Sequence, residues 1–155
     1  MGMIGTGKNQ KKLFILFFIL IIFAPVLFAQ GLPAGLISII GMNLDELLAR
    51  FGTPRSVYAV RGLEEWQDDV VFVYDHGDYY VFKDRVWQAG FKSAVGIKTG
   101  DTRAVVSLIL GPGIVSLGDS LFLPVDEGNW PLMLRFDFDR EEKIRGIYIY
   151  RTDFN

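Results

Sequence analysis

The 155-residue sequence contains no cysteine and a single histidine, His76. Without a thiol there is no disulfide, no thiolate metal site, no thiol nucleophile and no lipid-modified cysteine behind an export signal. Any folded part must be held by its core alone. One imidazole offers no second ligand of its kind to a metal, and no Gly-x-Ser-x-Gly elbow is present to use it as a base. Basic charge is also scarce, with 16 Lys and Arg against 18 Asp and Glu. Setting aside the first 29 residues removes three lysines and no acids, leaving 13 basic against 18 acidic residues, a formal charge of −5. That disfavours nucleic acid as a partner, because phosphate neutralisation needs a basic patch. Gly111 and Gly113 follow a helical pattern instead of preceding one, so they do not form a phosphate-binding loop, which uses a helix amino terminus.

Long apolar runs are equally few, and the notable one lies at the start. Lys8, Lys11 and Lys12 precede an unbroken apolar stretch from Leu13 to Phe23, followed by Ala24-Pro25-Val26-Leu27-Phe28-Ala29-Gln30. This charged, apolar, small-residue order is that of a secretory signal, with cleavage expected after Ala29. The chain is then exported, to the periplasm or beyond the cell. Counted to Phe28 the stretch is 16 residues and is broken by Pro25, whereas a spanning helix needs ~20. Leu27, two positions before the cut, is larger than usual there. The alternative is therefore an uncleaved inner-membrane anchor, the one route by which a membrane would be a partner. The remaining 126 residues suffice for one compact domain.

Within that domain a unit recurs. Gly41 and Gly52 stand eleven residues apart, enclose a short helical pattern and lead into Thr53-Pro54; Gly100 and Gly111 repeat this 59 residues later and lead into Pro112-Gly113. Leu44, Leu47, Leu48 and Phe51 form one apolar stripe at helical spacing. Asn43 and Glu46 make a capping-box pair at its start, and Gly52 can adopt the left-handed backbone that ends it. The second helical pattern, Thr102 to Leu110, is apolar nearly all round and is expected to be the more buried.

Strand patterns follow each helix: 56–60, 70–74, 79–82 and 86–91 in the first copy, and 114–117, 120–123, 132–138 and 144–151 in the second. Leu132, Leu134, Phe136 and Phe138 alternate with Met133, Arg135 and Asp137, and Ile147 and Ile149 alternate with Tyr148 and Tyr150, so each strand has an apolar face and an amphipathic, aromatic one. The pattern predicts an α+β fold of two tandem repeats, each a short helix plus an antiparallel β-meander, with the helices on one face of the sheet. The organisation expected is a signal peptide at 1–29, a linker or short leading helix at 30–38, and repeat units at 39–95 and 96–155 forming one module.

Gly41, Gly52, Pro54, Gly100, Asp101, Gly111, Pro112, Trp130, Phe136, Asp137, Lys143, Ile144 and Ile147 together make a glycine-led helix closing on Gly-x-Pro or Gly-Pro-x and a meander ending in Phe-Asp-turn-Lys-Ile-x-x-Ile. This pattern resembles the beta-lactamase-inhibitory-protein-like fold. A similar unit occurs in the small lipoprotein of the outer-membrane barrel-assembly machine, the BamE/SmpA-like family. The likeness covers 39–91 and 96–155. It implies an exported, non-enzymatic protein that acts by binding other proteins. The tandem arrangement is closer to the inhibitory protein, and the lipoprotein's modified cysteine is missing here.

Sharper chemistry is outweighed by plainer explanations. His76 lies in Asp75-His76-Gly77-Asp78, whose residue types a hairpin turn prefers. The acid pairs Glu64-Glu65, Asp68-Asp69, Asp126-Glu127 and Glu141-Glu142 fall in stretches that read as loops, where charge is solvated. Trp87 and Trp130 are expected in the core. No catalytic residue, metal site or cofactor is expected. The reading is a protein-binding or scaffolding module of the bacterial cell envelope, its partner another envelope or secreted protein. That partner would dock on Met133, Arg135, Asp137, Tyr148, Tyr150 and Tyr79 on the sheet face away from the helices. A carrier of a small apolar ligand is the alternative, and a hydrolase a distant third.

Overall fold

A computed structural model describes residues 34–62, 68–126 and 129–153. The expected signal at 1–29, the start of the linker, the acids Glu64, Glu65 and Glu127, and Trp66 lie outside the described residues. The fold is a mostly antiparallel sheet with a few short helices, of α+β type. In chain order the elements are α1 (Ala34–Ile37), α2 (Leu44–Phe51), β1 (Ser56–Val60), β2 (Asp69–Val73), β3 (Gly77–Phe82), β4 (Arg85–Phe91), β5 (Ser93–Ala94), β6 (Ile97–Lys98), α3 (Arg103–Leu110), β7 (Val115–Leu117), β8 (Ser120–Val125), β9 (Leu132–Phe138) and β10 (Ile144–Arg151). A short 3-10 turn, Gly111–Gly113, links α3 to β7. The two-strand hairpin β5–β6 has no counterpart in the strand pattern of the sequence. Among the described residues no helix is long and apolar enough to cross a membrane.

Eight strands form one sheet in the order β1-β2-β3-β4-β10-β9-β8-β7. Each half of the chain lays its four strands in sequence, and the last strand of each, β4 and β10, pair at the centre. Local geometry matches across the halves. Gly41 donates to the Val86 carbonyl and Gly100 to that of Ile144; Val86 donates to Met42 and Ile144 to Asp101. Gly41 and Gly100 have φ of 91° and 90°. The helices end at Gly52 (φ 73°, ψ −153°) and Gly111 (φ 70°, ψ −155°), a backbone region open essentially to glycine alone. The start of α2 carries the reciprocal Asn43–Glu46 capping box. Thr102, at the same place before α3, makes no side-chain cap bond.

Register fixes the faces. Phe72, Tyr79, Ala89, Ile149 and Leu134 stand opposite one another on successive strands, as do Phe91, Ile147, Phe136 and Leu121 in the next row. Phe51 of α2 stacks on Tyr79 at 5.1 Å, and Arg103 of α3 lies over Phe138 at 4.3 Å. Tyr79, Phe136, Phe138, Leu47, Ile97, Leu134, Ile147 and Ile149 are the largest of the fully buried side chains. Burial in β9 alternates strictly, as the sequence pattern requires.

The helix α3 is the more buried of the two, with Val106 and Leu110 in the core against Leu47 alone in α2, although Leu108 stays 83% exposed; an eight-residue helix resting on a sheet shows one stripe to the core however apolar its other side. Three expectations about packing are corrected. Trp130 is 39% exposed, with the Arg151 guanidinium 3.7 Å above its ring. Trp87 is half-buried and donates to the Asp69 carboxylate at 2.9 Å. Asp69 is accordingly the first residue of β2 and not a loop acid, and burial raises its carboxyl above the ordinary range.

Candidate functional site

The second face of the sheet carries Tyr80, Gln88, Tyr150 and Met133 in one row and Asp78, Gly90, Tyr148, Arg135 and Phe122 in the next. Each position follows from side-chain alternation on strands whose other face is filled by the core. Five of the six residues expected to meet a partner are therefore brought together: Met133, Arg135, Asp137, Tyr148 and Tyr150, all half-buried.

Arg135 is the centre of the group. Its guanidinium carbon lies 4.7 Å from the Tyr148 ring centroid and 5.5 Å from that of Tyr150, and its Nε is 3.2 Å from Asp137 Oδ1. Asp137 also accepts from the Ser120 hydroxyl at 2.7 Å. The contact to Asp137 is an ion pair without hydrogen-bond geometry, and the two rings flank the cation through their π faces.

Tyr148 is seated by glycines. A Cβ on Gly146 would sit 2.6 Å from Tyr148 Cε2 and 2.7 Å from its Oη, and one on Gly90 would sit 3.2 Å from Cε1. The ring therefore lies over backbone on β4 and β10 that no other residue type would leave bare.

Tyr79, the sixth expected residue, is not on this face. It is fully buried on the core face, between Phe51 at 5.1 Å and Tyr74 at 5.6 Å, and among the described residues its hydroxyl has no hydrogen-bond partner. Burial pushes its phenol up to about 12. The tyrosine doublet at 79 and 80 gives alternation no phase, and the register selects Tyr80 for the second face. Tyr80 is pushed to about 12 as well, by burial first and then by Tyr148 and Tyr58 nearby. Tyr58, Tyr80 and Phe122 are thus additions that sequence alternation alone does not find. The face is not evenly exposed, for Val71 and Gln88 on it are buried, whereas Tyr58, Val115 and Leu117 are open to solvent.

His76 is not part of this face. It sits in the bend before β3, its ring 4.7 Å from Phe51 and 5.4 Å from Tyr74.

No protein-family model and no curated protein sequence matches the chain. Among solved structures it is similar to an extracellular protein containing an SCP domain from Bacillus anthracis, at 15% identity and a TM-score of 0.48, over 76% of this chain and 45% of that one. It is also similar to a cysteine-rich secretory protein from Staphylococcus aureus, at 11% identity and a TM-score of 0.47, over 75% of this chain and 46% of that one. A third likeness is to a DUF4309 family protein from Bacillus subtilis, at 17% identity and a TM-score of 0.45, over 71% of this chain and 78% of that one. The chain spans less than half the length of the first two.

Proposed function

We propose that this chain is an exported, non-enzymatic protein-binding module of the bacterial cell envelope, built from two copies of one helix-and-meander unit whose helices share a face of the sheet. The working surface is then the opposite face. The matched hydrogen bonds at Gly41 and Gly100 and the strand order that reads alike from both ends support the duplication. The placement of Phe51 over Tyr79 and Arg103 over Phe138 supports a common helix side.

The observation that carries the functional reading is Arg135 held between Tyr148, Tyr150 and Asp137. Tyrosine and arginine are the residue types that dominate binding hot spots, and neither lysine nor glutamate stands in this group. Replacing Arg135 and Tyr148 together by alanine should leave the fold intact and weaken partner capture by about 2 kcal/mol or more. Unchanged capture in quantitative pull-downs from envelope extract would refute the reading.

The apolar-carrier alternative has one observation in its favour, an open groove of about 510 Å³ between α1 and the β5–β6 hairpin, lined by Leu36, Ala94, Val95 and Ile97 among others. Saturable binding of a fluorescent fatty acid that Leu36→Ser abolishes would favour it. The layer between sheet and helices, where a carrier of this shape would be expected to open, is filled by Tyr79, Phe136 and Phe138.

A further inference from the structure

We propose that a small pocket beside Tyr148 is an anchor site for one acidic side chain, aspartate or glutamate, of a partner segment lying across the open face; this rests on the protein-binding reading above. The pocket holds about 160 Å³ and lies where β3 begins, β4 ends and β10 begins. Sites for whole small-molecule ligands run from roughly 300 Å³ upward, so this volume suits a single side chain. Gly77, Gly90 and Gly146 on those three strands leave it unfilled, and Tyr148 forms one wall.

The charges select the occupant. Lys92 and Arg145 both line the pocket, and both are exposed. Among the described residues neither has an ion-pair partner; Arg50, Lys83, Arg85, Lys98 and Arg140 have none either, and what sets Lys92 and Arg145 apart is that they share one pocket. Thr99 and Tyr148, each carrying a hydroxyl donor, line the same space. Asp78 is the one carboxylate in the lining. Two cations against one anion accommodate a singly charged carboxylate, while Asp78 opposes a doubly charged phosphate. The occupant would reach this pocket from the strip over Tyr148 and Arg135, so the hot-spot pair and the anchor form one continuous surface.

The probe is N-acetyl-glutamate N-methylamide, titrated into the isotopically labelled chain and followed at the amides of Gly77, Gly90, Thr99 and Gly146. Its glutamine counterpart and inorganic phosphate serve as comparisons. Saturable shifts are expected, with the glutamate probe binding about tenfold or more tightly than the glutamine one. Lys92→Gln with Arg145→Gln should lower that affinity by about tenfold or more, and Lys98→Gln, which removes a cation outside the pocket, should leave it unchanged. Equal binding of the glutamine probe, tighter binding of phosphate, or an equal response to Lys98→Gln would overturn the assignment. The titration needs no partner protein, so its failure leaves the capture test on Arg135 and Tyr148 standing. Probe binding without any capture by the face would overturn the partner half of the proposal.

Discussion

On the core face of the sheet Tyr79 is pressed between Phe51 and Tyr74, its hydroxyl unpartnered among the described residues. On the other side Tyr148 lies across Gly90 and Gly146 with the Arg135 guanidinium on its ring. The same residue type does opposite work. Volume decides on the first face, where a buried phenol is tolerated for the area its ring covers, at the cost of a raised pKa. Preorganisation decides on the second, where bare glycine backbone and a paired cation hold a ring in place at the edge of solvent. One face carries most of the core, and the other leaves Tyr148 and Arg135 half-buried at the edge of solvent.

The sharpest test of that contrast is to truncate both faces. Phe136→Ala should cost about 3–5 kcal/mol by urea denaturation, the usual range for emptying a core aromatic. Tyr148→Ala and Arg135→Ala should each cost less than about 1 kcal/mol. Similar losses on the two faces would erase the distinction.

The glycine seat is tested next. Gly146→Ala drives a Cβ into the Tyr148 ring and should cost about 1–3 kcal/mol, in the range for overpacking. Adding Tyr148→Ala to that variant should recover most of the loss. If the double variant is as unstable as the single one, the seat is wrongly assigned.

A smaller effect separates the two helix starts. Asn43→Ala breaks a capping box and should cost about 1 kcal/mol, while Thr102→Ala should stay within about 0.5 kcal/mol because no cap bond is lost. Thermal melts of the two variants check this.

Much of the fold is legible in the residue pattern itself. Alternation in β9 and β10 is unambiguous because Leu132, Leu134, Phe136 and Phe138 share one parity, and Asn43, Glu46 and Gly52 mark the bounds of α2 by local chemistry alone. Alternation misplaces Tyr79 because Tyr79-Tyr80 reads the same in either phase, and only pairing with Phe72 and Ala89 decides it. Trp87 and Trp130 show the limit of composition, since a large apolar ring can be satisfied at the surface by Asp69 or Arg151. The pocket is hidden from the sequence for another reason: the β3–β4 pairing sets Gly77 beside Gly90 and Lys92, and Arg145 joins them only through the central β4–β10 pairing.

The least costly perturbation is pH. Tyr79 and Tyr80 are raised from 10 to about 12 by burial. A folded-state pKa above the unfolded value means that the fold favours the protonated phenol. The stability these groups contribute is therefore fully present below pH 10 and lost as pH rises from there through about 12. Phenolate absorbance should show a late-ionising class, from which Tyr79→Phe removes one member without loss of stability.

The central claim, that the face opposite the helices is the one that meets a partner, is tested most directly by site-specific photocrosslinking in the envelope. A photoreactive residue is placed at position 148 and, in a second chain, at 108, where Leu108 is 83% exposed on α3 and offers the most accessible competing apolar surface. A discrete crosslinked protein at 148 that is missing at 108, and that is lost when Arg135→Ala is added, is the expected result. Crosslinking at 108 with none at 148 would place the interaction on the helix side and contradict the account.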